Sequence, residues 1–127
     1  MNKETMKIAF STQGTDLSAL VDTRFGRSER FLIIDTEQDA IEVIENTQNR
    51  QSTQGAGIQS ATRLIQNNVN AVVTGQCGPK AFTLLNKADI TVYPTPSIAI
   101  CDALDALKNG QLSPTQAATV EGHWGEV

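Results

Sequence analysis

Apolar residues in this chain fall into five short runs, interleaved further along with three stretches of helical spacing. Lys7-Ile8-Ala9-Phe10-Ser11 is the first run, followed by Phe31-Leu32-Ile33-Ile34-Asp35 and Ala40-Ile41-Glu42-Val43-Ile44-Glu45. Runs of this length, rich in branched residues and bounded by polar clusters, predict strands. The short polar segment Thr36–Asp39 predicts that the second and third strands form a hairpin. Glu42 and Glu45 place the third at a partly solvated edge. Asn70-Ala71-Val72-Val73-Thr74 is nearly all apolar, as expected of a strand covered on both faces. Ile90-Thr91-Val92-Tyr93 is the fifth.

Helical spacing first appears after Gly55-Ala56-Gly57, where Ile58, Ala61, Leu64 and Ile65 share one face. A second helix begins at Pro79, a residue suited to the first helical position, and carries Ala81, Phe82 and Leu85. Pro94-Thr95-Pro96-Ser97 starts a third, with Ser97 expected as N-cap, Gly110 as stop, and Ile98, Cys101 and Leu104 as the buried stripe. Ser113–Val127 has no periodicity and reads as a mobile tail.

The order strand, hairpin, helix, strand, helix, strand, helix predicts an α/β domain with helices on both faces of a mixed five-stranded sheet. Right-handed crossovers then bring four carboxyl ends to one edge. The loop Thr12–Arg27, the turn at Gly55–Gly57, the turn Gly75–Gly78 and the segment Pro94–Ser97 all open there. If the fourth strand lies beside the first, the chain reverses between them, and a crevice forms at that switch point.

Composition narrows the function. The chain has 127 residues, enough for one ordinary domain. Its net charge of −4 argues against nucleic acid as the main partner, since that needs a basic face. Two cysteines, Cys77 and Cys101, are too few for a disulfide framework. No apolar run resembles a signal peptide or a membrane span, so a reducing, cytoplasmic setting is expected, with both thiols reduced. The central strands lack the carboxylates of a two-metal nuclease. The sole histidine lies in the expected tail, and neither a Gly-x-Ser-x-Gly turn nor a Walker loop is present.

The chemistry concentrates in Thr74-Gly75-Gln76-Cys77-Gly78-Pro79-Lys80, a tight turn with a sulfur atom at the start of a helix. Helix N-terminal N–H groups attract anions and favour thiolates, so Cys77 is a candidate metal or cluster ligand, or a reactive thiol. Gly55, Gly57, Gly75 and Gly78 are candidate backbone donors, and Arg24 and Arg27 candidate anion clamps. Asp22 and Glu29 are the acids close enough in sequence to pair with those arginines instead. His123, in Gly122-His123-Trp124-Gly125, is a further candidate ligand if the tail swings over the site. One helix start stabilises an anion by only about 0.3–2 kcal/mol, so several groups must converge.

Several segments together resemble the dinitrogenase iron–molybdenum cofactor biosynthesis family. These are Val21-Asp22-Thr23-Arg24-Phe25-Gly26-Arg27, Phe31–Asp35, Gly55-Ala56-Gly57, Ala71-Val72-Val73-Thr74-Gly75 with Gly78-Pro79, and Ile90–Tyr93. The similarity runs from about residue 6 to 112. It implies a ribonuclease-H-like motif with sheet order 3-2-1-4-5 and a crevice between strands one and four. It also implies a small non-catalytic carrier of an anionic iron–sulfur or iron–molybdenum-type cluster, or of a precursor, working with a cluster-donor or acceptor protein. Members in nitrogen-fixing systems carry a histidine where this chain has Arg24. Arginine has no lone pair for a metal but hydrogen-bonds anions well. The competing readings are a thiol-dependent enzyme or redox sensor built on Cys77, and an oxyanion-responsive interaction module.

Overall fold

A computed structural model describes residues 6–46 and 56–115. Five strands, β1 (Lys7–Thr12), β2 (Arg30–Asp35), β3 (Ala40–Glu45), β4 (Ala71–Thr74) and β5 (Thr91–Pro94), form one sheet in the order β3-β2-β1-β4-β5. β1 pairs antiparallel with β2 and β2 with β3, while β4 runs parallel to both β1 and β5. The helices are α1 (Ala56–Gln66), α2 (Pro79–Lys87) and α3 (Ile100–Lys108).

Period-2 alternation in the strands divides the core into two layers. Ala9, Phe31, Ile33, Val72 and Val92 face Ala61 and Leu64 of α1 and Ala81 and Leu85 of α2. Ile8, Phe10, Leu32, Ile34 and Val73 face Ile100 and Ala103 of α3. Helices thus cover both faces, as expected. Phe10 and Phe31 are fully buried, and truncating either to alanine costs about 3–5 kcal/mol by the usual scale of core deletions.

Local signals explain the connections. In the hairpin turn, Asp35 Oδ1 accepts the N–H groups of Glu37 and Gln38, and Asp39 takes a left-handed conformation at φ 57°. Asn68 and Asp89, just beyond α1 and α2, also have positive φ, a backbone region these residues enter more easily than most. Gly110 closes α3 at φ 73°, the expected stop.

The start of α3 differs from expectation. The helix begins at Ile100, so Ser97 is not its N-cap; Ser97 Oγ donates to Val21 O at 2.8 Å. The first helical N–H groups are taken by backbone from the long loop after β1: Ile100 N donates to Ala19 O and Cys101 N to Leu17 O. That start sets the helical phase, turning Ile100 and Ala103 inward and leaving Cys101 exposed rather than in the core. Of the segment read as a mobile tail, Ser113–Thr115 is described, and Thr115 N donates to Val92 O at 2.9 Å.

Candidate functional site

The carboxyl ends of β1, β4 and β5 share one rim, where the switch point between β1 and β4 falls. The chain itself lies over that crevice. Asp22 N donates to Ser11 O at 2.6 Å, Gly75 N to Asp22 O at 3.4 Å, and Phe25 N to Gln76 O at 3.0 Å. Beneath this strap Ser11 Oγ lies 2.8 Å from Asp22 O and 2.7 Å from Thr74 Oγ1, a buried polar seam linking β1 to β4. A Cβ on Gly75 would meet Thr23 Cα at 2.5 Å, so a side chain there would lift the strap. Gly75 is a packing residue more than a backbone donor.

The strap separates two hollows. One, about 530 Å³, is lined by Gln13, Leu20, Asp22, Thr23, Arg24 and Ser97. Arg24 is half exposed there, and its Nε pairs with the buried carboxylate of Asp22 at 3.4 Å. The other is a cleft of about 360 Å³ between the starts of α1 and α2, lined by Phe25, Gly26, Gly57, Gly78, Lys80 and Ala81, with Ile58 and Pro79 completing it. Close backbone approach builds this cleft: a Cβ on Gly26 would lie 2.8 Å from Gly57 N, and one on Gly57 would lie 3.3 Å from Ala81 Cβ.

The cleft is mostly apolar, and among the described residues the only charged one lining it is Lys80. Neither α1 nor α2 has an acid in its first turn, and Gly78, the N-cap of α2, makes no side-chain cap. Helix geometry leaves first-turn N–H groups without intrahelical acceptors, so each helix start carries partial positive charge. At α3 the equivalent donors are occupied by Ala19 and Leu17 carbonyls. The cleft therefore suits an anion that is soft or apolar at its surface.

Cys77 requires a correction. Its side chain is fully buried, within the cluster that holds Phe25, Ala81 and Leu85. Burial pushes the thiol up from its usual value to about 12. The helix N-terminus was expected to favour thiolate, but loss of water outweighs it, so Cys77 is neither a ligand nor a nucleophile in this conformation. Burial of the sulfur counts against the thiol-enzyme and redox-sensor readings.

The remaining candidates divide. Gly57 and Gly78 line the cleft, whereas Arg24 lies across the strap in the larger hollow. Arg27 is exposed and lines neither. Gly55 and His123 lie outside the described residues. Among the described residues, no three His, Cys, Asp or Glu side chains gather where they could hold a metal ion. Lys80 and Gly26 were missed as site features, whereas Asp22 pairs with Arg24 as the sequence allowed. The available signals were the position of Lys80 in the first turn behind Pro79 and the Asp22-x-Arg24 spacing, which lets the carboxylate cap Arg24 N at 2.9 Å.

A small α/β domain with two hollows at one sheet rim, one of them made by paired helix starts, defines the class. The chain belongs to the dinitrogenase iron–molybdenum cofactor family, whose model matches residues 6–110. It is similar to an uncharacterized protein of Methanocaldococcus jannaschii, 34% identical over 110 residues that cover 84% of this chain and 89% of that one. Among solved structures it is similar to the apo form of the orange protein from Desulfovibrio gigas, with TM-score 0.88, 30% identity, and coverage of 94% of this chain and 100% of that one. A Thermotoga protein described as a candidate NifB protein gives TM-score 0.80 and 33% identity, over 92% of this chain and 99% of that one. Among the described residues, no helix is long and apolar enough to cross a membrane.

Proposed function

We propose that the protein is a non-catalytic carrier that holds an anionic metal–sulfur cluster, or its precursor, in the cleft between α1 and α2. The observation that carries this reading is the pairing of two acid-free helix starts with Lys80 in one mostly apolar hollow. Sulfide-rich anions are large and weakly hydrated, so apolar walls and N–H donors suit them better than a ring of carboxylates. Membership in a family described by an iron–molybdenum cofactor supports the same chemistry.

Magnitudes define what each part does. Two helix starts supply roughly 0.6–4 kcal/mol together, twice the range for one, against about 4 kcal/mol for millimolar binding. Useful affinity thus requires Lys80 and burial against Phe25, Ile58 and Pro79. With Cys77 sealed away, no covalent bond to sulfur or metal is needed, and the cargo can pass to an acceptor protein by exchange of hydrogen bonds and contacts. Iron–sulfur and iron–molybdenum-type clusters are the cargo classes in view.

The test is anaerobic incubation with tetrathiomolybdate or a reconstituted iron–sulfur cluster, followed by gel filtration. Visible absorbance should co-elute with the wild type and with Cys77→Ala, and be lost from Lys80→Glu. Absence of co-eluting absorbance from the wild type with every such species overturns the carrier reading.

A further inference from the structure

We propose that the larger hollow, on the other side of the strap, is a second site, for a small zwitterion of the free α-amino acid type. The site is distinct from the cluster cleft and uses neither Lys80 nor the starts of α1 and α2.

The starting point is an under-compensated buried carboxylate. Asp22 has a side chain only 4% exposed, yet it lines a cavity of about 530 Å³. A carboxylate removed from water needs strong partners. Its Oδ1 accepts Arg24 N at 2.9 Å and Arg24 Nε at a long 3.4 Å. Among the described residues its Oδ2 accepts only the neutral amide of Gln13, at 3.2 Å, from another cavity-lining side chain. Two lone pairs per oxygen leave Oδ2 room for a further donor.

Arg24 is unfinished in the complementary sense. Only its Nε is engaged; Nη1 and Nη2 have no hydrogen-bond partner among the described residues, and the side chain is 54% exposed. A guanidinium edge with both terminal amino groups open is shaped for a carboxylate. The hollow thus presents an acceptor for a cation beside a donor fork for an anion, with zero net charge between them. A simple amine would bring its cation up to Arg24, and a simple carboxylate would bring its charge up to Asp22. A zwitterion with adjacent ammonium and carboxylate satisfies both. Leu20, 57% exposed, supplies an apolar wall for its side chain, and the volume falls within the usual range for small-ligand pockets.

L-leucine is the probe, titrated into isotope-labelled full-length protein while amide shifts are followed. N-acetyl-L-leucine, which lacks the ammonium, and isoamylamine, which lacks the carboxylate, are the comparators. Saturable shifts are expected at Gln13, Thr23 and Arg24 with L-leucine, and affinity about tenfold or more lower for each comparator and for Arg24→Gln. Arg24→Gln keeps the backbone N–H that caps Asp22, so its circular dichroism and its tetrathiomolybdate binding should match the wild type. No saturable shift with L-leucine, equal binding of either comparator, or an unchanged affinity in Arg24→Gln would each overturn the proposal.

Discussion

Alanine at Gly75 should damage the rim of the sheet, whereas alanine at Gly78, in the same turn, should leave it nearly untouched. Neither glycine has a positive φ, so the contrast is one of space. A Cβ at Gly75 meets Thr23 Cα at 2.5 Å and Thr23 O at 2.7 Å, both backbone atoms of the strap. An ordinary contact begins near 3.4 Å, so the strap must rise by most of an ångström. That shift loosens the Gly75 N to Asp22 O bond, already at 3.4 Å, and strains the Phe25 N to Gln76 O bond at 3.0 Å. Overpacking costs about 1–3 kcal/mol and a lost backbone bond about 1 kcal/mol more. A Cβ at Gly78 meets nothing within 4 Å, and its φ −69°, ψ 169° suits alanine. There the entropic gain of about 0.4–1 kcal/mol offsets a similar loss of N-cap preference, about 0.5–1 kcal/mol. Urea unfolding followed by circular dichroism should therefore show a midpoint lowered by roughly 1 M for Gly75→Ala, from a typical m-value, and nearly unchanged for Gly78→Ala. Equal effects, or a neutral Gly75→Ala, would refute the strap packing.

A thiol reagent should label Cys101 promptly in the native protein and Cys77 only on unfolding, since one is exposed and the other buried. The folded pKa of Cys77 lies above its unfolded value, so neutral-thiol stability is complete below about 9 and declines as pH rises toward 12. That decline is about 1.4 kcal/mol per pH unit from this group, and the difference between wild type and Cys77→Ala in alkaline unfolding titrations should report it. Thr74→Val should cost about 1–3 kcal/mol by leaving the buried seam under the strap short of a partner. A double-mutant cycle with Ser11→Ala should show strong non-additivity, because the two hydroxyls share one bond.

The layers of the fold were legible because local and global signals agree. The unbroken apolar run at Phe31–Ile34, the polar turn at 36–39, the apolar run at Val72 and Pro79 at a helix start each point to the element observed. What stayed hidden depends on contacts between distant segments. Nothing near Ser97 reveals that Ala19 and Leu17 carbonyls will cap α3, and that capping decides the phase that exposes Cys101. The glycines around Cys77 suggested an open cradle, yet the sulfur joins the core beneath Phe25, whose position depends on the strap crossing to Gln76. The arginine pair looked like one clamp, but the strap turns Arg24 toward Asp22 and away from the helix starts. Glycine spacing did mark close approach, since Gly26, Gly57 and Gly75 all sit where a methyl group would collide or crowd.

Amide shift mapping of the wild-type chain with tetrathiomolybdate tests the central claim most directly. Saturable shifts at Gly26, Gly57, Ile58 and Lys80, which line the cleft, are the predicted result, with Gln13 and Thr23 unmoved. Shifts confined to the Arg24 hollow, or none at concentrations that saturate other anion sites, would contradict it.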